Sequence, residues 1–410
     1  MDKSWIIKSY RAIKGDDKKS GDDAAAVKSE EESTPLELIE EAEHSPDEQF
    51  TITERSIEQV PIQHQAKTEV ARKMETKPPP RSDIKPSAAG LTFGSQAVLQ
   101  ECWKKDELTG SPQDKKIQRL PESDTTSPSK TEPDFLYRPL FHDQRNSIWY
   151  VKPYKNRKIA ALTFDLCERA REKAEYDADI VNYLRKQNVK ATFFAGGKWM
   201  KTHSEKTMQL MADPLFEIGN HAWTHGNFRL LTKEEMKQQI LWTQAQYELL
   251  RTELQSRSCV NQLQDEMKKI PKSIGIFRFP YGTCRSEALK LLSRYGLPAI
   301  QWNIVSGDPA RRQTAGGIKR IVLSQIRPGS IIIFHANGRG HGTAGALPEI
   351  IPALRKKGYT FVTVSELIYM GKIVATETCY ELKPNATKNL QIAPKVPGEQ
   401  YYGRLSSLGK

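Results

Sequence analysis

Thr163-Phe164-Asp165-Leu166-Cys167-Glu168 is the stretch that decides how this chain is read. Lys158-Ile159-Ala160-Ala161-Leu162 stands before it, a short apolar run opened by a charge, and that pattern predicts a buried strand. Such a strand carries Asp165 and Glu168 to its C-terminal end, where open α/β sheets and α/β barrels keep their chemistry. Further polar candidates follow downstream at the ends of other strand-like runs: His221 and His225, Arg278, Asp308 and His335.

Seven β-like runs can be traced, over 158–165, 189–194, 216–220, 275–278, 298–305, 329–334 and 359–364. Helical patterns separate them. The longest runs from Thr232 through Leu254, with Thr232 as N-cap and Glu235 at the capping-box position. Ser286 to Tyr295 reads as another helix, stopped by Gly296. Strands alternating with helices predict an α/β domain, either doubly wound or closed as a parallel barrel. Polar residues recurring at strand C-termini favour the barrel.

His221-Ala222-Trp223-Thr224-His225 places two imidazoles at i, i+4. On a helical turn they would share a face and hold one metal ion; otherwise they are ordinary surface or core histidines. A catalytic metal needs a third protein ligand, for which Asp165 and Glu168 are the carboxylates at hand. In Arg278-Phe279-Pro280-Tyr281-Gly282 the arginine suits a carboxylate partner, or a plain salt bridge beside a tight turn. A backbone N–H in that turn suits an oxyanion. His335 closes a strongly apolar run as either a satisfied core histidine or a general acid. Asp308, in Ser306-Gly307-Asp308-Pro309, is either a turn residue or the partner of a histidine.

Composition divides the 410 residues. Residues 1–150 are polar and rich in Lys, Glu, Ser and Pro, which predicts a low-complexity, mostly disordered N-terminal segment. Leu91 to Trp103 is the exception, apolar enough to dock on something, and Trp5 to Ile13 has weak helical spacing. Residues 151–370 have the size of one globular domain, and 371–410 read as an irregular tail. The N-terminal 150 residues hold 22 Lys+Arg against 28 Asp+Glu, whereas the remainder hold 40 against 22. The excess positive charge is either a solubilising surface or an attraction to an anionic polymer, membrane surface or cell-wall matrix. No nucleic-acid motif accompanies it. No apolar run is long enough to span a membrane, and Met1-Asp2-Lys3-Ser4-Trp5-Ile6-Ile7-Lys8 lacks the core of a secretory signal, so the sequence by itself predicts a cytoplasmic protein. Five scattered cysteines with no Cys-x-x-Cys spacing argue against a structural zinc cluster. Cys167 and Cys284 each follow a candidate site motif by two residues and are expected to lie close together, as a disulfide or as two thiols.

Taken in order, these motifs resemble the polysaccharide deacetylase family with its NodB homology domain (carbohydrate esterase family 4-like), over about Lys158 to Ile368. Thr163-Phe164-Asp165 is similar to the first family motif, His221 to His225 to the metal-binding motif and Arg278 to Gly282 to the third. The Asp308 region is similar to the fourth, and Ile331-Ile332-Ile333-Phe334-His335 to the fifth. The resemblance implies a distorted (β/α)7 barrel that removes acyl groups, usually acetyl, from amino sugars of a carbohydrate polymer or cell-envelope glycan. It implies Asp165 as general base, His335 as general acid, Arg278 holding Asp165, Asp308 tuning His335 and the Tyr281 backbone facing the oxyanion. It also implies one divalent ion, zinc by preference, on His221 and His225, and a place of work in the cell envelope. Two positions depart from the family pattern. Leu166 stands where a second, metal-binding Asp is usual, so Glu168 is expected to supply the third ligand; Pro309 stands where a Trp is usual. Leu166-Cys167-Glu168 marks a bacterial subset. Other readings of the same scaffold are an amidase or imidase on a small non-sugar substrate and a non-catalytic glycan binder.

Overall fold

The computed structural model describes residues 91–110, 117–137 and 139–379. The low-complexity stretch expected before residue 91 and the tail expected after residue 379 lie outside the described residues. In chain order the main elements are α1 (Gln96–Cys102), β1 (Ser147–Pro153), β2 (Ile159–Leu166), α2 (Ala178–Lys186), β3 (Ala191–Ala195), α3 (Gly197–Thr202), α4 (Ser204–Ala212) and β4 (Phe216–Asn220). There follow α5 (Lys233–Gln255), α6 (Ser286–Arg294), β5 (Ile304–Val305), α7 (Ala315–Gln325), β6 (Ser330–His335), α8 (Thr343–Lys356), β7 (Thr360–Phe361), α9 (Val364–Tyr369) and β8 (Gly371–Thr376). Among the described residues no helix is long and apolar enough to cross a membrane.

The sheet is a curled, mixed one. β2 lies at its centre, parallel to β3 on one side and to β6 on the other, and β3 is parallel to β4. Beyond β4 the parallel pairing continues through single bridges, Asn220 with Phe277 and Phe277 with Ala299, and returns through β5 to β6. The ring is therefore a distorted barrel of the predicted kind. The runs expected at 275–278 and 298–305 are its weakest staves, with one or two bridges where β2 and β6 share six. β7 pairs with the start of β2 and supplies the seventh parallel segment.

Side-chain alternation sorts the strands into two layers. Ile159, Ala161, Phe194, Ile276, Ile331 and Ile333 fill the inner face of the ring. Ala160, Leu162, Phe164, Leu166, Phe193, Ile332 and Phe334 face outward and are covered by helical residues such as Ile180, Leu184 and Trp199. α5 begins as predicted: Thr232 Oγ1 accepts the Glu235 N–H, and the Glu235 carboxylate accepts the Thr232 N–H.

The domain edges differ from those expected. Leu91 to Trp103 docks as expected, and the rest of 91–150 is not all tether. Ser95 caps α1, Val98, Leu99 and Trp103 are buried in the outer core, and Cys102 is bonded to Cys259. Residues 371–376 are not irregular, because β8 pairs antiparallel along β1 from Gly371 with Pro153 to Thr376 with Ser147. Cys284 is bonded to Cys379 and Cys167 remains a free, buried thiol, so Cys167 and Cys284 form neither the disulfide nor the pair of thiols considered for them. Cys102 and Cys259 are 157 residues apart, and their bond closes a long loop of the unfolded chain. Replacing both with Ala should lower the unfolding free energy by about 2–4 kcal/mol in denaturant titrations. An unchanged midpoint would mean that packing of Val98, Leu99 and Trp103 holds α1 unaided.

One buried carboxyl lies on the inner face at the N-terminal side of the ring. Glu217 accepts from Thr192 Oγ1 at 2.9 Å and the Ser365 N–H at 3.1 Å, and it also bonds the Ser365 hydroxyl. Burial pushes its pKa up to about 7 despite these donors. A raised folded-state value means that its contribution is fully present below the unfolded value and is lost as pH rises through about 7. Glu217→Gln should therefore flatten the fall in stability between pH 5 and pH 8, a span worth roughly 3 kcal/mol for this group. Parallel pH profiles for variant and parent would contradict this.

Candidate active site and metal centre

The site forms at the C-terminal ends of the parallel strands, from inner-face positions. Asp165 lies directly opposite His335 in the β2–β6 register. Asn220 ends β4 opposite Ala195, and His221 follows it. Arg278 follows Phe277, which bridges Asn220. Strand pairing therefore brings residues from five parts of the chain to one level.

Arg278 is fully buried and anchors the centre. Its Nη1 donates to Asp165 Oδ1 at 2.8 Å and to Thr163 Oγ1 at 2.9 Å. Its Nε donates to the Ile300 carbonyl at 3.3 Å and its Nη2 to the Gln301 carbonyl at 3.4 Å. The guanidinium lies over the Phe194 ring, 3.9 Å from the ring centre. Gly219 makes room for that ring, since a Cβ there would come within 2.4 Å of Phe194 Cδ1. Asp165 is thus held at Oδ1 by a fixed cation, while its Oδ2 lies 3.4 Å from His221 Nε2. Burial alone would raise the Asp165 pKa, but His221 and Arg278 outweigh it and keep the carboxyl below its ordinary value.

His335 is held by Asp308. The ring donates from Nδ1 to Asp308 Oδ1 at 2.9 Å, and the backbone N–H of His335 donates to Oδ2 at 2.7 Å. Ser306 Oγ and Thr343 Oγ1 donate to the two remaining acceptor sites at 3.0 and 2.7 Å. Burial works to lower the His335 pKa, yet the adjoining Asp308 carboxylate raises it above the usual histidine value. Nε2 is left for a ligand.

His221 and His225 converge, though not on a helical turn. Residues 221–226 form a loop in which Ala222 and His225 both take positive φ, at 66° and 60°. This left-handed backbone is unfavourable for residues with a Cβ and is held here by its surroundings. Asn220 Oδ1 braces the loop by accepting the Ala222 N–H at 2.9 Å. The two imidazole centres are 5.0 Å apart, and the Tyr281 ring lies 4.4 Å from that of His225. Tyr281 itself has φ 60° in the turn Pro280–Gly282. His221 Nδ1 lies 3.0 Å from the Arg278 carbonyl, which can only accept, so Nδ1 carries the proton and Nε2 the lone pair. Burial lowers the pKa of His221, and burial with the neighbouring His221 lowers that of His225 well below the ordinary value. Both shifts favour the uncharged ring, the form that binds a metal.

Glu168, the expected third ligand, is elsewhere. It is wholly buried on the outer side of the sheet, where it accepts from Lys198 Nζ at 2.8 Å, Thr202 Oγ1 at 2.7 Å and the Ala174 N–H at 2.8 Å. Alternation explains this, because Glu168 shares parity with the outward-facing Phe164 and Leu166. Its role is to stitch α3 to the end of β2. Glu168→Gln should keep its metal and lose about 1.5–3 kcal/mol of stability, since Lys198 would lose a charged partner. Metal analysis and denaturant unfolding of the same sample would check both parts; a lost metal with unchanged stability would reverse the assignment.

A donor set does exist on the inner face. Cys167 Sγ and one ring nitrogen each of His221 and His225 all lie within 4.8 Å of one another, and among the described residues no other His, Cys, Asp or Glu group meets this spacing. His221 Nε2 and His225 Nδ1 are buried without a hydrogen-bond partner. Two imidazoles, each with a buried ring nitrogen that has no hydrogen-bond partner, beside a sulfur fit a divalent ion with nitrogen and sulfur affinity. Asp165 and Glu168 fall outside the set.

A family model described as polysaccharide deacetylase matches residues 152–300. That stretch holds Asp165, Cys167, both histidines, Arg278 and Tyr281, and it ends before Asp308 and His335. A peptidoglycan-N-acetylglucosamine deacetylase of Bacillus cereus is 31% identical over 225 residues, 54% of this chain and 71% of the relative. A bifunctional xylanase/deacetylase of Pseudobutyrivibrio xylanivorans is 29% identical over 216 residues, 53% of this chain and 31% of the relative. Among solved structures, a CE4 family pseudoenzyme from Bacillus anthracis is 26% identical, with a TM-score of 0.44, over 54% of this chain and 68% of its own.

Proposed function

The chain belongs to the polysaccharide deacetylase family, and on that premise we propose that it is a metal-dependent hydrolase removing N-acetyl groups from the amino sugars of a glycan. The observation that carries the reading is the pairing of Asp165 with His335 across β2 and β6, each with its own fixed partner. A carboxylate held by an arginine and an imidazole held by a carboxylate, opposite each other, are the two halves of an acid–base pair. A pure binding site has no use for both.

His221 and His225 would hold the ion, with zinc favoured by the nitrogen and sulfur donors around it. When bound, the ion would polarise the acyl carbonyl and lower the pKa of a water beside it. The rest falls to the chain. Asp165 takes the proton of the attacking water as its oxygen bonds to the acyl carbon. His335 Nε2 gives a proton to the sugar nitrogen as the C–N bond breaks, so acetate and a free amine leave. Asp308 fixes the ring so that Nε2 faces the substrate. The backbone of the Tyr281 turn, beside His225, would face the oxyanion, as the family resemblance implies.

The relative from Bacillus cereus is named for peptidoglycan, which makes that polymer the first substrate to try. The excess of Lys+Arg after residue 150 supports attraction to an anionic wall or envelope matrix. The disulfides Cys102–Cys259 and Cys284–Cys379 support work in the cell envelope rather than in the reducing cytoplasm expected from the N-terminal residues. The test is acetate release from chitin oligomers and from peptidoglycan by zinc-loaded protein, with the His221→Ala variant alongside. Release that vanishes in the variant supports the reading. Glycan binding without release from either polymer would make the protein a binder.

A further inference from the structure

We propose that Cys167 is the third protein ligand of the metal, binding as a thiolate in the place that Leu166 cannot fill. This rests on the deacetylase reading and goes past it, because that reading gives Cys167 no role.

Three independent features place the sulfur there. The first is strand parity. Cys167 follows β2 in step with Ile159, Ala161 and Asp165 on the inner face, whereas Leu166 and Glu168 fall on the outer one. The second is convergence: the sulfur and one ring nitrogen of each histidine form one mutually close set, and His221 Nε2 and His225 Nδ1 are buried without a hydrogen-bond partner. The third is support around the sulfur. Asn337, fully buried, donates from Nδ2 to the Cys167 carbonyl at 2.6 Å and lies 3.1 Å from Sγ. A donor aimed at sulfur, and a backbone carbonyl fixing the other nitrogen of His221, are the outer partners that orient metal ligands.

The chemistry is self-consistent. As the ion arrives the S–H proton leaves to solvent, and one negative charge enters the site, the same charge that a carboxylate would have brought. Asp165 stays outside the ligand set and free to act as base. A soft sulfur donor turns the site away from magnesium, calcium and manganese and toward zinc or cobalt.

The full-length protein, stripped of metal and reloaded with one equivalent of zinc, would be examined by X-ray absorption at the zinc edge. One sulfur scatterer at about 2.3 Å, beside nitrogen or oxygen at about 2.0–2.1 Å, is expected. The two disulfides do not interfere, since only atoms on zinc contribute. With cobalt(II), a sulfur-to-metal charge-transfer band in the near ultraviolet is expected in the parent and absent in Cys167→Asp. That variant should still bind cobalt while its preference for zinc over manganese falls by about tenfold or more. A zinc shell of nitrogen and oxygen alone in the parent overturns the sulfur ligand. If acetate release persists in that sample, the deacetylase reading survives it. A parent that binds no zinc and releases no acetate overturns both.

Discussion

Asp165→Asn should lower kcat on an acetylated glycan oligomer by about 10²–10⁴-fold, the range of a general base, with the fold and the bound metal retained. Asn matches Asp in shape, and its side-chain oxygen can still accept from Arg278 Nη1, the bond that Asp165 Oδ1 now receives at 2.8 Å. What it cannot do is take up a proton from water. Asp165 lies outside the close set formed by Cys167, His221 and His225, so metal content should be unchanged. Single-turnover rates and metal analysis on one preparation check both statements. Loss of metal along with activity would make Asp165 a ligand and send the search for the base elsewhere. Full activity would dismiss the acid–base assignment.

Arg278→Met should destabilise the protein by about 3–5 kcal/mol, the cost of breaking a buried ion pair from one side. Arg278 is fully buried and Asp165 is 3% exposed, so the remaining carboxylate would lose its cation and find no water in exchange. Thr163 Oγ1 and the Ile300 and Gln301 carbonyls would lose a donor as well. Denaturant unfolding gives the magnitude. The double variant with Asp165→Asn should recover part of the loss, because the uncompensated charge goes with the carboxylate. Strictly additive losses would mean that Arg278 acts on stability through Phe194 and the backbone alone, not through Asp165.

Much of this site could be read from the chain before its fold was known. Asp165, His221, Arg278 and His335 each end or directly follow a recognisable apolar run, His225 and Asp308 lie a few residues beyond one, and strand ends in a parallel ring meet at one rim. The choice of Glu168 failed for a reason already present in the sequence. Counting by twos from Ile159 keeps Asp165 and Cys167 on one face and puts Glu168 on the other. A carboxylate was favoured by its chemistry when the pleat pointed to the thiol. The histidine loop was less accessible, because i, i+4 spacing suggests a helix and nothing local announces positive φ at Ala222 and His225. The disulfides were hidden by distance, with partners 157 and 95 residues apart and no local spacing to join them. The docking of Leu91 to Trp103 was legible in its apolar run, whereas the stretch after it was read as tether because its polar composition hid the Cys102–Cys259 bond that holds α1.

The two disulfides also set how this molecule bears tension. From Leu91 the shortest covalent route to the other end of the described chain enters at Cys102 and crosses to Cys259. It then follows the backbone to Cys284 and crosses again to Cys379. A load hung between those ends is carried by that short cable. The hydrogen-bonded ladders of β2 with β6 and of β1 with β8 lie off the line of force. Arg278 and Tyr281 sit on the cable itself, while Asp165, Asp308 and His335 hang beside it. Pulling on those ends would therefore tighten the strand that carries Arg278 and leave Asp165 and His335 slack.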